Sequence, residues 1–281
     1  SETVVIDQNK NISIAAAADG TTIKRAAGFL GDMFKVKDES TSFQFGTGKE
    51  GETVLSLTVT GALDQGDATG SIISVEGGYF GLSDGVTLTG NRTRAPGAAI
   101  CNSGGSIGLA GGTITGNQSE GIVNEAAEIT GGAIYSLGEI RVSGAVIVKD
   151  NKDDGLNDNS IVLGGDNACI AAIGQLAETA DLQVRRSDAA AGKIIVKVGT
   201  DANGTALTTM ENILAHVHYL DTTEYTINNQ TGALESVTAP VSTMTLTADS
   251  ISWNKAYEHT VDLTFHTNDA GAVSYTHLRA H

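Results

Sequence analysis

Residues 86–91 read VTLTGN, residues 112–117 read GTITGN and residues 146–151 read VIVKDN, so one kind of unit recurs in the middle of the chain. Each unit places a β-branched run before a turn that ends in asparagine. β-branched residues favour strands, and glycine and asparagine tolerate the positive φ that sharp corners require. The units therefore predict short strands separated by tight corners.

The spacing of apolar residues around these units predicts a coil. One apolar anchor recurs about every seven residues, which is too short a unit for a helix. Every third anchor gives two series that we expect to stack: Leu88, Ile107, Ile129 and Ile147, and then Ile100, Ile122, Ile140 and Ile161. Within both series the gaps are 18 to 22 residues. They predict a β-solenoid of about 20 residues and three strand faces per coil.

Asparagines at the corners are expected to stack from coil to coil. Ile100-Cys101-Asn102 and Ile122-Val123-Asn124 share one register, so Asn102 should lie beneath Asn124. Stacked side-chain amides can then hydrogen-bond along the rod. We interpret these asparagines as corner residues rather than catalytic ones.

Longer stretches carry a family resemblance. SIISVEGGYFGLSDGVTLTGN (71–91), GGTITGN (111–117) and GGAIYSLGEIRVSGAVIVKDN (131–151) resemble the right-handed parallel β-helix repeats, of the pectin-lyase-like type, in large secreted and cell-surface proteins of gut bacteria. Residues 3–38 are similar to the entry coils of those proteins. The resemblance implies an all-β, parallel β-helix fold. The right hand has independent support, because crossovers between parallel strands are almost always right-handed.

The pattern divides the chain into four parts. We expect regular coils over residues 1–165, and irregular final coils with a cap over 166–238, where TTMENILAH can hold a short helix. Residues 239–272 alternate with period two and predict the start of an immunoglobulin-like β-sandwich. Residues 273–281, VSYTHLRAH, resemble a translated sequencing-library adapter, and we interpret them as an artefact.

Composition and charge limit the partners. Asp and Glu total 33 against 17 Lys and Arg, and the net charge of -16 repels phosphate backbones, so nucleic acid is not expected as a partner. No apolar run approaches the ~18 residues of a membrane span. The resemblance implies an extracellular or cell-surface location, with a signal peptide and anchor outside this fragment. Glycans, host surface proteins and further domains of the same chain are the expected partners.

The sequence lacks the catalytic patterns of enzymes that share the resembled fold. Polygalacturonase-like hydrolases use a histidine in a GHG-type turn, yet no histidine precedes His216. Lyases of this fold use an arginine base, and the adjacent pair Arg185-Arg186 is remote in sequence from the acidic pair Asp153-Asp154. We therefore expect no catalytic residue and no bound cofactor, and a non-catalytic stalk or adhesin-like region. The alternative is a polysaccharide lyase or glycoside hydrolase of the β-helix type.

One loop is a weak calcium candidate. Residues 150–159, DNKDDGLNDN, contain Asp150, Asp153, Asp154 and Asp158, and calcium binds six to eight oxygen ligands. The loop is not an EF-hand, because Lys152 stands at the third ligand position. A solvated insertion between coils is the alternative interpretation.

The remaining candidates are histidines and cysteines. His216 and His218 alternate on one side of a predicted strand, but no third ligand for zinc lies near them in the sequence, so we interpret them as surface residues. Cys101 and Cys169 have no metal-site spacing. They are either two buried thiols or one long-range disulfide.

Overall fold

The computed structural model describes residues 2–47, 53–61, 70–119, 131–153 and 157–237. These residues form 25 strands and one short helix, and every strand pair except a final hairpin is parallel. Strands that pair are not neighbours in sequence. In most coils, each strand pairs with a strand that lies three or four elements further along the chain. The chain therefore winds as a parallel β-helix, as the repeats predict.

Three faces and a corner make up the coils. Face A contains β1 (Val4–Ile6), β4 (Phe34–Val36), β7 (Ile73–Val75), β11 (Ile100–Asn102), β15 (Ile134–Ser136), β19 (Ile161–Leu163) and the end of β21 (Asp181–Arg186). Face B contains β2 (Asn11–Ile14), β5 (Ser42–Phe45), β8 (Tyr79–Leu82), β12 (Ser106–Leu109), β16 (Ile140–Gly144), β20 (Ile170–Leu176) and β22 (Val196–Val198). Face C contains β3 (Thr21–Lys24), β6 (Leu57–Thr60), β9 (Val86–Thr89), β13 (Thr113–Thr115), β17 (Ile147–Val148), the start of β21 and β23 (Val217–Tyr219).

Shorter elements complete the coils. The corner between face C and the next face A is a three-stranded sheet of β10 (Arg92–Thr93), β14 (Gln118–Ser119) and β18 (Lys152–Asp153). Strand β21 joins faces A and C, because its start pairs with β17 and its end pairs with β19. After β22 come α1 (Met210–Leu214), β23 and the hairpin of β24 (Tyr225–Ile227) and β25 (Leu234–Ser236).

The register corrects the predicted coil length. On face A, Ile73, Ile100, Ile134 and Ile161 stack, with 27, 34 and 27 residues from each position to the next. The expected length of about 20 residues is wrong because loops separate the strands and three of the described coils include a fourth, corner strand. The sequence prediction assigned three apolar anchors to each coil, so it omitted these segments and underestimated the coil length.

Neither predicted stacking series holds as a whole, for the same reason, and of the described members only Ile100 and Ile161 share a column, on face A with Ile134 between them. Leu88 lies on face C and stacks on Ile114, whereas Ile107 lies on face B and stacks on Ile140. Ile147 is only half-buried, and its neighbour Val148 fills the core position instead. Two further members, Ile122 and Ile129, lie outside the described residues.

Alternation along each strand builds the core. On face B, Phe43, Phe80, Ile107 and Ile140 occupy one inward column, and all are at most 1% exposed. In the early coils four phenylalanines pack together, with ring centroids 4.9 to 6.0 Å apart, and these are Phe34, Phe43, Phe45 and Phe80. Each such side chain contributes about 1.5–3 kcal/mol on burial. Stacked apolar columns therefore hold the coils together.

Face pairing continues through β23, beyond the regular repeats. The predicted short helix is confirmed as α1, which packs against β20, β22 and β23. Its N-cap is Thr209, whose hydroxyl oxygen accepts a hydrogen bond from the backbone N–H of Asn212 at 3.1 Å. The predicted sandwich over 239–272 and the predicted artefact over 273–281 lie outside the described residues.

Candidate functional site

The asparagines that end the three repeat units form a buried ladder. The backbone N–H of Asn91 donates to Oδ1 of Asn117 at 3.1 Å, and that of Asn117 donates to Oδ1 of Asn151 at 3.0 Å. The side-chain amide of Asn117 also donates to the carbonyl of Leu88 at 3.1 Å. All three asparagines are at most 1% exposed. The expectation that asparagine amides hydrogen-bond from coil to coil is confirmed for these residues.

The predicted contact between Asn102 and Asn124 is wrong in register. Asn102 stacks on Ser136, and its amide donates to the Ser136 hydroxyl at 3.0 Å. Its carbonyl oxygen accepts the N–H of Gly105 at 2.9 Å, so this asparagine shapes the corner between faces A and B. Asn124 lies outside the described residues.

A buried arginine begins the ladder. Arg25 is 5% exposed, and its guanidinium donates to the carbonyls of Gly70 and Ser71 at 3.2 and 3.1 Å and to Oδ1 of Asn91 at 3.1 Å. Burial lowers the pKa of Arg25, which the charge of Asp32 partly offsets. An arginine nevertheless stays protonated in proteins. With a further hydrogen bond to the carbonyl of Gly31, the side chain is a fixed donor to backbone carbonyls of two segments and to Asn91, which is a structural role.

Arg186, one of the adjacent basic pair, is also structural. It is 1% exposed, and it follows Leu163 in the inward column of face A. Its guanidinium donates to the carbonyls of Ala168, Gly165 and Ile194 at 2.7, 2.7 and 3.0 Å, and Nε lies 2.7 Å from a carboxylate oxygen of Asp188. This arginine is held inside the coil, where a substrate cannot reach it.

Two of the calcium candidates already bind other groups. Asp153 accepts the backbone N–H of Asn157 at 2.8 Å, and Asp158 pairs with Nζ of Lys152 at 2.5 Å. Asp150 is exposed with φ of 55°, and Asp154 lies outside the described residues. Among the described residues, no three His, Cys, Asp or Glu side chains converge as a metal site would require. Calcium binding at this loop stays a prediction.

The histidines and cysteines contact the neighbouring coil or the core. Nδ1 of His216 lies 3.0 Å from the carbonyl oxygen of Ala180, and Nε2 of His218 lies 3.6 Å from a carboxylate oxygen of Asp181. Both cysteines are free thiols, which excludes the disulfide alternative. Cys169 is buried and Cys101 half-buried. Burial raises the pKa of Cys101 to about 11 and also raises that of Cys169, so neither is an activated thiolate.

Two small ionic clusters lie on the outer surface. On face A, Nζ of Lys35 lies 2.6 Å from Glu76 and 3.6 Å from Asp32. On face B, Glu139 accepts a hydrogen bond from Nε of Arg141 at 3.0 Å and pairs with Lys197. Sequence reasoning missed both clusters, because their members come from different coils.

The ionic contacts fix the charge of these groups. Hydrogen bonding to Glu76 raises the pKa of Lys35, and hydrogen bonding to Glu139 raises that of Lys197. Burial raises the pKa of Glu139, but hydrogen bonds from Lys197 and Arg141 outweigh it and lower the pKa overall. The lysines therefore stay protonated and Glu139 stays ionised at neutral pH. None of the three is poised as a general base or general acid.

Face C presents two outward columns of threonines. The first column contains Thr58, Thr87 and Thr113. The second contains Thr60, Thr89 and Thr115. All six are half-buried, and they alternate with the core residues Val59, Leu88 and Ile114. Because the side chains are short and alike, this part of face C is a flat, uncharged surface three strands wide.

No protein-family model matches this chain, and no curated protein or solved structure is significantly similar to it. In the described residues, no helix has the length and apolar character needed to cross a membrane. The geometry of the coils is therefore the main guide to function.

Proposed function

We propose that this chain is a non-catalytic β-solenoid stalk or adhesin-like region of a bacterial surface protein, similar to pectin-lyase-like β-helices and located outside the cell. In this role it displays further domains of the same chain and contacts ligands such as glycans. The observation that carries the proposal is the flat threonine surface of face C. A catalytic β-helix needs charged groups on stacked coils around a groove, whereas a stalk needs regular, weakly reactive faces.

The buried polar groups also support a stalk. The asparagine ladder satisfies backbone groups between coils, and Arg25 and Arg186 satisfy carbonyls inside the coil. These side chains are at most 5% exposed, and their hydrogen bonds hold the solenoid together. Cross-strand threonine pairs on face C add to the same stability.

The alternative is a polysaccharide lyase or glycoside hydrolase, and the cluster of Glu139, Arg141 and Lys197 is the observation that favours it. It brings one acidic and two basic side chains together on face B, at β16 and β22, which are separated by β20. A lyase, however, needs a group that accepts a proton, and the raised pKa of Lys197 works against that role. We therefore rank the enzyme second.

Activity assays separate the two proposals. The full chain, incubated with polygalacturonate, alginate and heparin, should release no new reducing ends and produce no ultraviolet absorbance from unsaturated sugars. A Glu139→Gln variant is the matched control, because it removes the cluster's carboxylate and keeps its size. Turnover by the wild-type chain that Glu139→Gln abolishes would overturn the stalk proposal in favour of the enzyme.

A further inference from the structure

Face B carries a tyrosine that lies over two glycines of adjacent strands. Gly81 and Gly108 stack in register at outward positions, yet both are buried because Tyr79 covers them. A Cβ atom at Gly108 would lie 2.1 Å from the Tyr79 hydroxyl oxygen, and one at Gly81 would lie 3.1 Å from Cε1 of the ring. A side chain at Gly108 would displace the ring from the sheet, and one at Gly81 would crowd it.

One side of the ring therefore lies against the flat surface of Gly81 and Gly108, while Tyr79 remains 37% exposed. Burial raises the pKa of Tyr79, with an opposing contribution from the nearby positive charge of Arg141, so the phenol stays neutral. An aromatic ring fixed in this way gives a broad apolar contact surface with little loss of side-chain entropy on binding.

Hydrogen-bonding side chains flank the ring along the axis of the rod. On β5, Ser42 is the register partner of Tyr79, and Gln44 is that of Gly81. On β16, Arg141 is the register partner of Gly108, and Glu139 accepts from its Nε at 3.0 Å. A guanidinium has five N–H donors, so Arg141 keeps others for a ligand. Its side chain is 53% exposed.

We propose that Tyr79, with Gln44 and the Arg141–Glu139 pair beside it, binds a neutral polysaccharide. This inference rests on the proposed function and assigns its glycan contact to a site. The C–H bonds on one face of a pyranose pack against the negative face of the tyrosine ring. Nε2 of Gln44 already donates to Ser13, Gly46 and Thr47 at 3.2 to 3.3 Å, so Oε1 is the atom that accepts from the sugar hydroxyls on this side. On the other side the hydroxyls hydrogen-bond to the guanidinium of Arg141 and the carboxylate of Glu139.

The dimensions and the charge define the ligand class. Gln44 and Arg141 are three strand spacings apart, about 14 Å, which exceeds one sugar unit and suits a chain lying along the rod. Glu139 offsets one of the two positive charges of Arg141 and Lys197, and the whole chain carries a net charge of -16. That charge repels acidic polysaccharides, so a neutral chain is the expected occupant.

A tyrosine above a glycine also stabilises a sheet without binding anything, and the chain contains a matched example. On face A, a Cβ at Gly164 would lie 2.4 Å from the hydroxyl oxygen of Tyr135. The register partners of Tyr135 are Cys101 and Val162, which do not offer the amide and ion pair found around Tyr79. Tyr135 is therefore the control for the purely structural effect.

The test measures binding of the full chain to cello-, xylo-, manno- and maltohexaose by titration calorimetry, and to the matching soluble polysaccharides and polygalacturonate by affinity electrophoresis. We expect at least one neutral glycan to bind. Tyr79→Ala and Arg141→Ala should each weaken binding at least tenfold, Tyr79→Phe should retain it, and Tyr135→Ala should leave it unchanged. Tyr79→Leu, which still covers the glycines, should also lose binding and serves if Tyr79→Ala fails to fold.

The outcomes distinguish this site from the wider proposal. If a neutral glycan binds and the Tyr79 variants bind it equally well, the site is wrong while glycan contact by the stalk stands. If polygalacturonate binds more tightly than every neutral glycan, the assigned ligand class is wrong. Absence of binding across the whole panel contradicts both the site and the glycan contact of the proposed function, although the absence of turnover is tested separately.

Discussion

At the scale of single residues, polar side chains inside the coil determine how the corners stack. Asn117 is the centre of the ladder, since it accepts from Asn91 and donates to Asn151 and to the carbonyl of Leu88. These partners have no access to water, and a buried group without a partner costs about 1–3 kcal/mol. The corner asparagines are thus structural determinants rather than surface residues.

Asn117→Ala should therefore lower the free energy of unfolding by about 2–4 kcal/mol, because it leaves more than one buried group without a partner. Denaturant unfolding followed by circular dichroism measures the change. Asn203→Ala is the control, because Asn203 lies in an exposed turn and its replacement should cost about 0.5 kcal/mol or less. Equal effects of the two substitutions would show that the ladder does not stabilise the fold.

The sequence predicts some residue roles and not others, for a physical reason. The ladder was predictable in kind, because each asparagine ends a local strand-and-corner unit that repeats in the sequence. Arg25 and Arg186 were not, because their burial depends on backbone carbonyls that only the folded coils bring around the guanidinium. The pair of glycines under Tyr79 was also missed, since Gly81 and Gly108 become neighbours only through the register of β8 and β12.

At the scale of elements, the register decides which apolar residues enter the core. Periodicity correctly predicts short parallel strands, because alternation and turn residues are local signals. It does not predict the coil length, because loops and corners of variable length separate equivalent strands. Ile140 is completely buried on face B, whereas Ile147 is half-buried on the outer side of face C, although the sequence around them is similar in character.

This difference yields a matched pair of substitutions. Ile140→Ala should destabilise the protein by about 2–5 kcal/mol, because it opens a cavity in a stacked column. Ile147→Ala should cost about 1 kcal/mol or less, because its neighbour Val148 occupies the core position. Thermal and denaturant unfolding measure both. A larger loss for Ile147→Ala than for Ile140→Ala would contradict the register.

At the scale of the whole solenoid, the outer faces of the coils are regular columns of residues. Face C is the clearest example, because Thr22, Thr58, Thr87, Thr113, Ile147 and Asp181 follow one another in register from β3 to β21. Residues far apart in sequence therefore lie at fixed multiples of the strand spacing. Both the stalk proposal and the Tyr79 site depend on this geometry.

Spin-label distances along face C test that geometry most directly. With Cys101 and Cys169 replaced by serine, labels at Thr22→Cys and Ile147→Cys span four strand spacings, and labels at Thr22→Cys and Asp181→Cys span five. Double electron–electron resonance should give narrow distributions near ~19 Å and ~24 Å, with an increment of one spacing between the pairs. Broad distributions, or distances that do not increase by one spacing, would contradict the parallel β-helix register on which the account rests.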